Sequence, residues 1–353
     1  MQAREVFITG FSRIFMVIFA FILTLGFSAV PCYAKDQPQV NWRCQACLSP
    51  PEKCFDGKIY GTYGMTKLLA KKVKERTNGK FNIKVFTPGT LLKPMETANG
   101  VMKGAVEMGL TIGVLYAGVV PEADFTTNFP FGPVDNETFW KVISESDYLK
   151  IMRKAYAKHN LYYLGRLSAG ADCYVTTFPI RKISDLKGRK IRTGGIIAEI
   201  SREYGAVPVN ISITELYTAM QRGTIDGFTA ATYIGVAYKL FEVAKFVAQP
   251  SLFNTGPELT VNLKAFKALP EEYQKILVEE AYKISQFSHL ENTVQMDALT
   301  KSVGESKFGV TYTTVEPSEW QEMKRLAMPY WEKIGKKSEE CGQLIEIWKK
   351  YGQ

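Results

Sequence analysis

Apolar and polar positions divide the chain into stretches of different period. From Ile14 to Leu25, in IFMVIFAFILTL, apolar residues run without interruption. In MTKLLAKKVKERTNG, Met65, Leu68, Leu69 and Val73 recur at helical spacing. This predicts an amphipathic helix over Met65 to Gly79 that stops at Asn78-Gly79. In KFNIKVF, Phe81, Ile83 and Val85 alternate with Asn82 and Lys84, the period of a strand. Trp42 begins an earlier strand, and Pro50-Pro51 ends anything regular after it. Strand, helix and strand in succession predict a parallel α/β sheet.

Further along, a helix is expected from about Glu96 to Lys103. A second is expected after Ser212 and Glu215, which stand at capping-box spacing, running through Met220 and stopping at Gly223. Both helices end alike, in Gly104-Ala105-Val106-Glu107 and Gly223-Thr224-Ile225-Asp226, as two domains of similar architecture would. LYYLGRLSAGADCYVTT, Leu161 to Thr177, reads as strand with small-residue interruptions. From Leu269 the pattern is mostly helical: LPEEYQKILVEEAYKISQFSHLENTVQMDALTKSV forms one long helix or two, with Pro270 tolerated in its first turn. FGVTYTTV predicts a short strand before the last helices.

The uninterrupted apolar run changes the picture first. Arg4 and Arg13 precede or enter it and GFSAVPCYA follows, so residues 1–34 read as a secretory signal peptide cleaved after about Ala34; the alternative is an uncleaved anchor. Removing that segment takes away two basic residues and one acid, so the formal net charge of +9 becomes +8. The basic residues are spread out, with no Lys/Arg block of the kind that marks a nucleic-acid arm. Export also argues against a nucleic-acid partner, and a net positive field favours an anionic ligand or surface.

Export permits disulfides. Cys44, Cys47, Cys54, Cys173 and Cys341 remain after cleavage, an odd number whose pairing the spacing does not give. The chain has two histidines, His159 and His289, and neither has a metal-ligand partner at helical or strand spacing. No zinc-protease motif, P-loop or nucleophile elbow occurs. Cys44-Gln45-Ala46-Cys47 is the one enzyme-like motif. A redox role would need Cys44 at a helix N-terminus, where the thiol pKa falls. Leu48 stands where a haem-attachment motif needs histidine. An exported thiol-disulfide oxidoreductase using Cys44 and Cys47 is the alternative to a binding protein.

In DLKGRKIRTGG, Lys187, Arg189, Lys190 and Arg192 make either a solvated basic edge or one purposeful arginine with basic neighbours. Its surroundings carry a resemblance. Asp185-Leu186-Lys187-Gly188-Arg189-Lys190-Ile191-Arg192, then Gly205-Ala206-Val207-Pro208-Val209, then Glu215-Leu216-Tyr217-Thr218-Ala219-Met220-Gln221-Arg222-Gly223-Thr224-Ile225-Asp226-Gly227 resemble three motifs of one family. That family is the extracytoplasmic solute-binding proteins of tripartite ATP-independent periplasmic (TRAP) transporters, the DctP family. Met220 for leucine is the departure. A weaker likeness covers NGKFNIKVFTPGTL and VNLKAFKALPEEYQKIL.

The resemblance implies an α/β, two-domain periplasmic-binding-protein fold: mixed sheets flanked by helices, a central cleft, and a long helix in the C-terminal half. It implies residues 35–169 plus 258–297 in one domain and 170–257 plus 298–353 in the other. The implied function is capture of a small organic anion in the cleft and delivery to TRAP membrane permease subunits, without enzymatic activity, cofactor or ATP site, in the periplasm.

By the same resemblance Arg192 pairs the solute carboxylate. The chemistry agrees: a guanidinium offers two parallel charge-assisted hydrogen bonds and stays charged when buried. Gln45, at the end of the first strand, and Glu96 are further positions facing the cleft. Asp172 stands where sialic-acid binders carry a second arginine and keto-acid binders a glutamine, so it would repel a carboxylate solute unless a cation, a solute hydroxyl or Arg166 intervenes. Ile213, Phe228, Thr229 and Ala230 match contact positions, and Phe228 replaces a glutamate that metal-using keto-acid binders keep. Tyr116 and Tyr233 are aromatic candidates for the cleft wall. Ile213, Phe228 and Ala230 together imply a pocket for a small, partly apolar anion.

Overall fold

Along the first strand, Trp42 and Cys44 turn inward while Asn41 and Arg43 face solvent, the alternation a half-buried sheet demands. In this computed structural model residues 37–48, 52–55, 57–127 and 129–352 are described. The apolar N-terminal run and Pro50-Pro51 lie outside the described residues. The strands, in chain order, are β1 (Val40–Ala46), β2 (Lys53–Cys54), β3 (Ile59–Tyr60), β4 (Phe81–Phe86), β5 (Met108–Thr111), β6 (Leu161–Arg166) and β7 (Gly170–Thr176). They continue with β8 (Lys190–Arg192), β9 (Val207–Val209), β10 (Gly227–Ala231), β11 (Phe246–Gln249), β12 (Phe253–Thr255), β13 (Glu258–Asn262) and β14 (Thr311–Thr314).

Two mixed sheets result. The first has the order β4-β1-β5-β13-β6, with β1 parallel to β4 and β5 and β13 antiparallel to both its neighbours. Helix Thr62–Arg76 makes the parallel crossover and buries Met65, Leu69, Ala70 and Val73 against Trp42 and Phe81. It stops where expected: Asn78 and Gly79 take left-handed φ values of 49° and 79°, and the Gly79 amide returns to the Lys74 carbonyl at 2.8 Å. The second sheet has the order β14-β11-β7-β10-β8-β9, with β12 pairing β7. Here β10 lies between antiparallel β7 and parallel β8.

The stretch that reads as one interrupted strand is two strands, one in each sheet. β6 ends at Arg166, the chain crosses, and β7 starts at Gly170. A second segment crosses beside it in the opposite sense: Leu167 donates to the Pro257 carbonyl and Ala169 to that of Thr255, both at 2.9 Å. The small residues are needed because the two backbones touch. A Cβ on Gly256 would collide with the Leu167 carbonyl oxygen and lie 2.7 Å from an Arg166 nitrogen. The third passage is helical. Glu271–Phe287 and Thr293–Phe308 are joined through a π-helical turn, Ser288–Asn292, into one interrupted helix. Ser288 and Thr293 both donate to the Ser168 carbonyl, at 3.3 and 3.2 Å.

Each sheet has its own apolar cluster. A third unites residues of both sheets with the C-terminal helices Pro317–Gly335 and Glu339–Tyr351, through Trp331 and Trp348.

Candidate functional site

The basic stretch separates into one half-buried charge and three exposed ones. On β8, Lys190 is exposed, Ile191 enters the core and Arg192 is half-buried; Lys187 and Arg189 are exposed as well. Arg189 stacks on the Phe178 ring, 4.2 Å away, and the Asp226 carboxylate accepts from the Lys190 amide at 2.7 Å. Arg192 donates through Nε to the Ile211 carbonyl at 3.1 Å, which anchors one edge of the guanidinium. Burial lowers its pKa, and the charge of Asp172 opposes that.

Asp172 comes from the strand on the other side of β10. Its register partner there is Ala231, and Arg192 is partnered by Phe228. Asp172 is 8% exposed, and its Oδ1 has no hydrogen-bond partner. Burial pushes its carboxyl well above the usual range, and Arg192 is the group that pulls the other way. Of the three groups that could relieve its charge, a cation, a solute hydroxyl or Arg166, Arg166 is not among the groups acting on Asp172; the protein cation that does act on it is Arg192. Tyr233, half-buried at the start of helix Tyr233–Ala237, has its hydroxyl pKa raised by burial and then by Tyr238, Cys54 and Asp172.

Strand alternation sorts the positions on β10. Thr229 donates to the Thr193 hydroxyl at 2.7 Å, tying β10 to the residue after Arg192. Phe228 and Ala230 point the other way, into the apolar cluster with Leu216, Ile225, Phe241 and Val247, and Ile213 packs against that cluster. Phe228 is 0% exposed, so its apolar character and that of Ala230 report packing rather than pocket polarity. The inference of a partly apolar solute from these residues therefore loses its basis.

The candidates on the first sheet are differently placed. The Gln45 amide is engaged by backbone: Nε2 donates to the Ala46 and Thr87 carbonyls at 2.7 and 2.8 Å, and Oε1 accepts from the Leu91 amide at 3.0 Å. It clasps the loop after β4. Glu96 is exposed at the N-terminus of helix Thr97–Lys103. Tyr116 is buried, with its hydroxyl donating 2.7 Å to Glu258 Oε2. Arg166 is fully buried. It donates to Asn254 Oδ1 at 3.0 Å and to the Asn254 carbonyl at 3.3 Å, and lies 3.8 Å from the Phe139 ring centre. His289 Nε2 stands 3.5 Å from it, while Nδ1 lies 2.8 Å from the Ser285 carbonyl, so the neutral ring carries its proton on Nδ1. Burial, then Arg166, push the His289 pKa down to about 3.

Glu258 is the residue the sequence reading passes over. It opens β13 fully buried and accepts from Thr126 at 2.6 Å and Tyr156 at 2.5 Å besides Tyr116. Burial pushes its carboxyl up to about 7, against those three hydroxyls and the charge of Arg166. The available signal was an acid opening the alternating, strand-like run ELTVN. Together Arg166, Asn254, Ser168 and Glu258 brace the crossing segments.

The thiols decide the alternative. All five described cysteines are unbridged, and Cys44 and Cys47 are buried in and just after β1 rather than at a helix N-terminus. Burial pushes both thiols up to about 12, opposite to the activation a redox cysteine needs. The oxidoreductase reading has no support. Two surface grooves of about 400 and 1010 Å³ lie elsewhere, among Lys67, Lys71 and Lys84 and among Lys150, Glu346 and Lys350.

Among known proteins, the profile of "Bacterial extracellular solute-binding protein, family 7" (DctP) matches residues 59–338. The chain is 29% identical over 329 residues to a monocarboxylate 2-oxoacid-binding periplasmic protein of Nostoc sp., covering 89% of this chain and 84% of that one. It is 27% identical to the 2,3-diketo-L-gulonate-binding periplasmic protein of Escherichia coli K12, over 62% of this chain and 69% of that one. Among solved structures, a TRAP periplasmic solute-binding protein of Pseudoalteromonas atlantica with bound sodium and pyruvate superposes with a TM-score of 0.76 at 21% identity, covering 89% of this chain and 94% of that one. At that identity the likeness concerns the fold.

Proposed function

Because the chain belongs to the bacterial extracellular solute-binding proteins of family 7, the DctP family, we propose that it captures a small organic carboxylate and delivers it to a TRAP membrane permease. It acts outside the cytoplasmic membrane, in the periplasm, and catalyses no reaction. Among the described residues no helix is long and apolar enough to cross a membrane.

The observation that carries this reading is Arg192. It is half-buried, its Nε edge is pinned by the Ile211 carbonyl, and its terminal nitrogens suit a carboxylate held by two parallel bonds. The two sheets form the cores of two domains, and residues 166–170, 254–258 and 288–292 are the passages about which these domains close over the solute.

Thermal unfolding against a library of organic acids tests the proposal. A solute at 100 times its Kd adds about 2.7 kcal/mol of stability. Arg192→Ala abolishes the ligand-induced rise in Tm, and Arg192→Lys weakens it because an ammonium cannot make the paired contact. Undiminished binding by Arg192→Ala would remove the assigned role.

A further inference from the structure

We infer that the outer edge of β4 docks an acidic, extended segment of a protein partner, which adds to the first sheet as a further strand and is held by lysines of helix Thr62–Arg76. The delivery step proposed above supplies the partner, the membrane permease. The inference rests on that function and adds the surface of contact.

Four strands end the two sheets: β4 and β6 the first, β14 and β9 the second. A bare edge strand is a template for pairing, and three of these are blunted. β9 has three residues with Pro208, which lacks a donor, at its centre. β14 has only four residues. At β6, Arg153 donates to the Tyr163 carbonyl at 3.3 Å and Ser285 to the Arg166 carbonyl at 2.7 Å. β4 runs six residues without proline and pairs only with β1. Among the described residues, nothing but β1 hydrogen-bonds to the backbone of residues 82–86.

The groove of about 400 Å³ runs along this edge. Four consecutive residues, Asn82 to Val85, line it, so it meets both faces of β4 and opens on the strand's edge. Opposite stand Lys67, Lys71 and Lys74, spaced four and three apart on one stripe of the helix. Lys84 adds a fourth ammonium, and no acid is among the described lining residues. The helix turns Arg76 the other way, to Glu279 and Glu280 at 2.8 and 2.9 Å. Lys67 pairs with Glu52 at 2.7 Å, but Lys71 stands 3.8 Å from Glu75 with both side chains exposed, a pair worth little. Lys74 enters no ion pair among the described residues.

Spacing and charge together specify the occupant. Residues four apart on a helix rise about 6 Å, and alternate residues of a strand about 6.8 Å. A strand with an acid at every second position therefore sets carboxylates against Lys67 and Lys71 while its backbone takes the free groups of β4. The same lysines repel a second copy of this edge, so it is closed to itself and open to an acidic segment.

A synthetic eight-residue peptide of alternating glutamate and threonine, blocked at both ends, is the probe. Calorimetric titration of the mature protein at low ionic strength is expected to show binding that weakens as salt is added, with amide exchange slowed at residues 82–86. Of two versions N-methylated at one or the other alternate set of residues, the one whose amides face β4 should lose binding. Lys71→Glu combined with Lys74→Glu should weaken the peptide about 10-fold, and a parental rise in Tm with an organic acid shows that this variant is folded. No peptide binding, equal binding by both N-methylated versions or by a lysine-for-glutamate peptide, or exchange unchanged at β4 overturns the inference. Binding to phosphatidylglycerol vesicles through these lysines without peptide binding overturns it too, in favour of a membrane surface. In each case an organic acid that raises Tm leaves the solute-binding function standing; if none does, that function fails separately.

Discussion

Glu258 shows how one side chain combines stability with sensitivity to pH. Its carboxyl is ordinary at 4.5 when exposed and about 7 in the fold, because burial outweighs three hydroxyl donors. An acid whose pKa rises on folding holds its proton more tightly in the native state. Its contribution is complete below pH 4.5 and is lost as pH climbs towards 7, a difference of about 3 kcal/mol. Urea unfolding at pH 5 and pH 7.5 should therefore show a stability difference that Glu258→Gln reduces. A variant with the parent's pH dependence would refute the assignment. The thiols offer a second check. Cys54 is half-buried, and Cys44, Cys47, Cys173 and Cys341 are buried. A thiol reagent should label Cys54 in the native protein and the other four only after unfolding; rapid native labelling at Cys44 or Cys47 would reopen the redox reading.

At the scale of elements, the crossings are the least tolerant places. Gly256 sits against the Leu167 backbone, where an added Cβ would overlap a carbonyl oxygen that cannot turn aside. Gly256→Ala should cost several kcal/mol or prevent folding. Gly118, with nothing within 4 Å of an added Cβ, is the matched control and should change stability little. The return half of the capping box was legible: Ser212 and Glu215 stand three apart, and the Ser212 amide donates to the Glu215 carboxylate at 3.0 Å. The π turn at Ser288–Asn292 was not. No proline or glycine marks it, and its position follows from the hydrogen bonds that Ser288 and Thr293 make to the crossing strand.

For the whole molecule, closure of the two domains over a solute is the motion the proposed function requires. Small-angle scattering should show the radius of gyration falling when a stabilising organic acid is added. Binding with unchanged scattering would count against closure. Arg192→Ala, which loses the solute, should keep the unliganded dimensions at all solute concentrations.

The sequence by itself determined the local periods, the helix stop at Asn78-Gly79, the Ser212–Glu215 contact and the family motifs around Arg192. All depend on residues close together in the chain, so local physics decides them. It also separated Arg192 from its basic neighbours. Tertiary structure alone decided that Leu161–Thr177 divides between two sheets, and that Phe228 and Ala230 serve the core. It likewise placed Tyr116 on Glu258 and Arg166 on Asn254, and brought Asp172 and Arg192 to flanking strands. Glu258 lies 142 residues from Tyr116 and 132 from Thr126. Burial and pairing at such separations are properties of strand order, and no period within a short window encodes which distant strand becomes a neighbour.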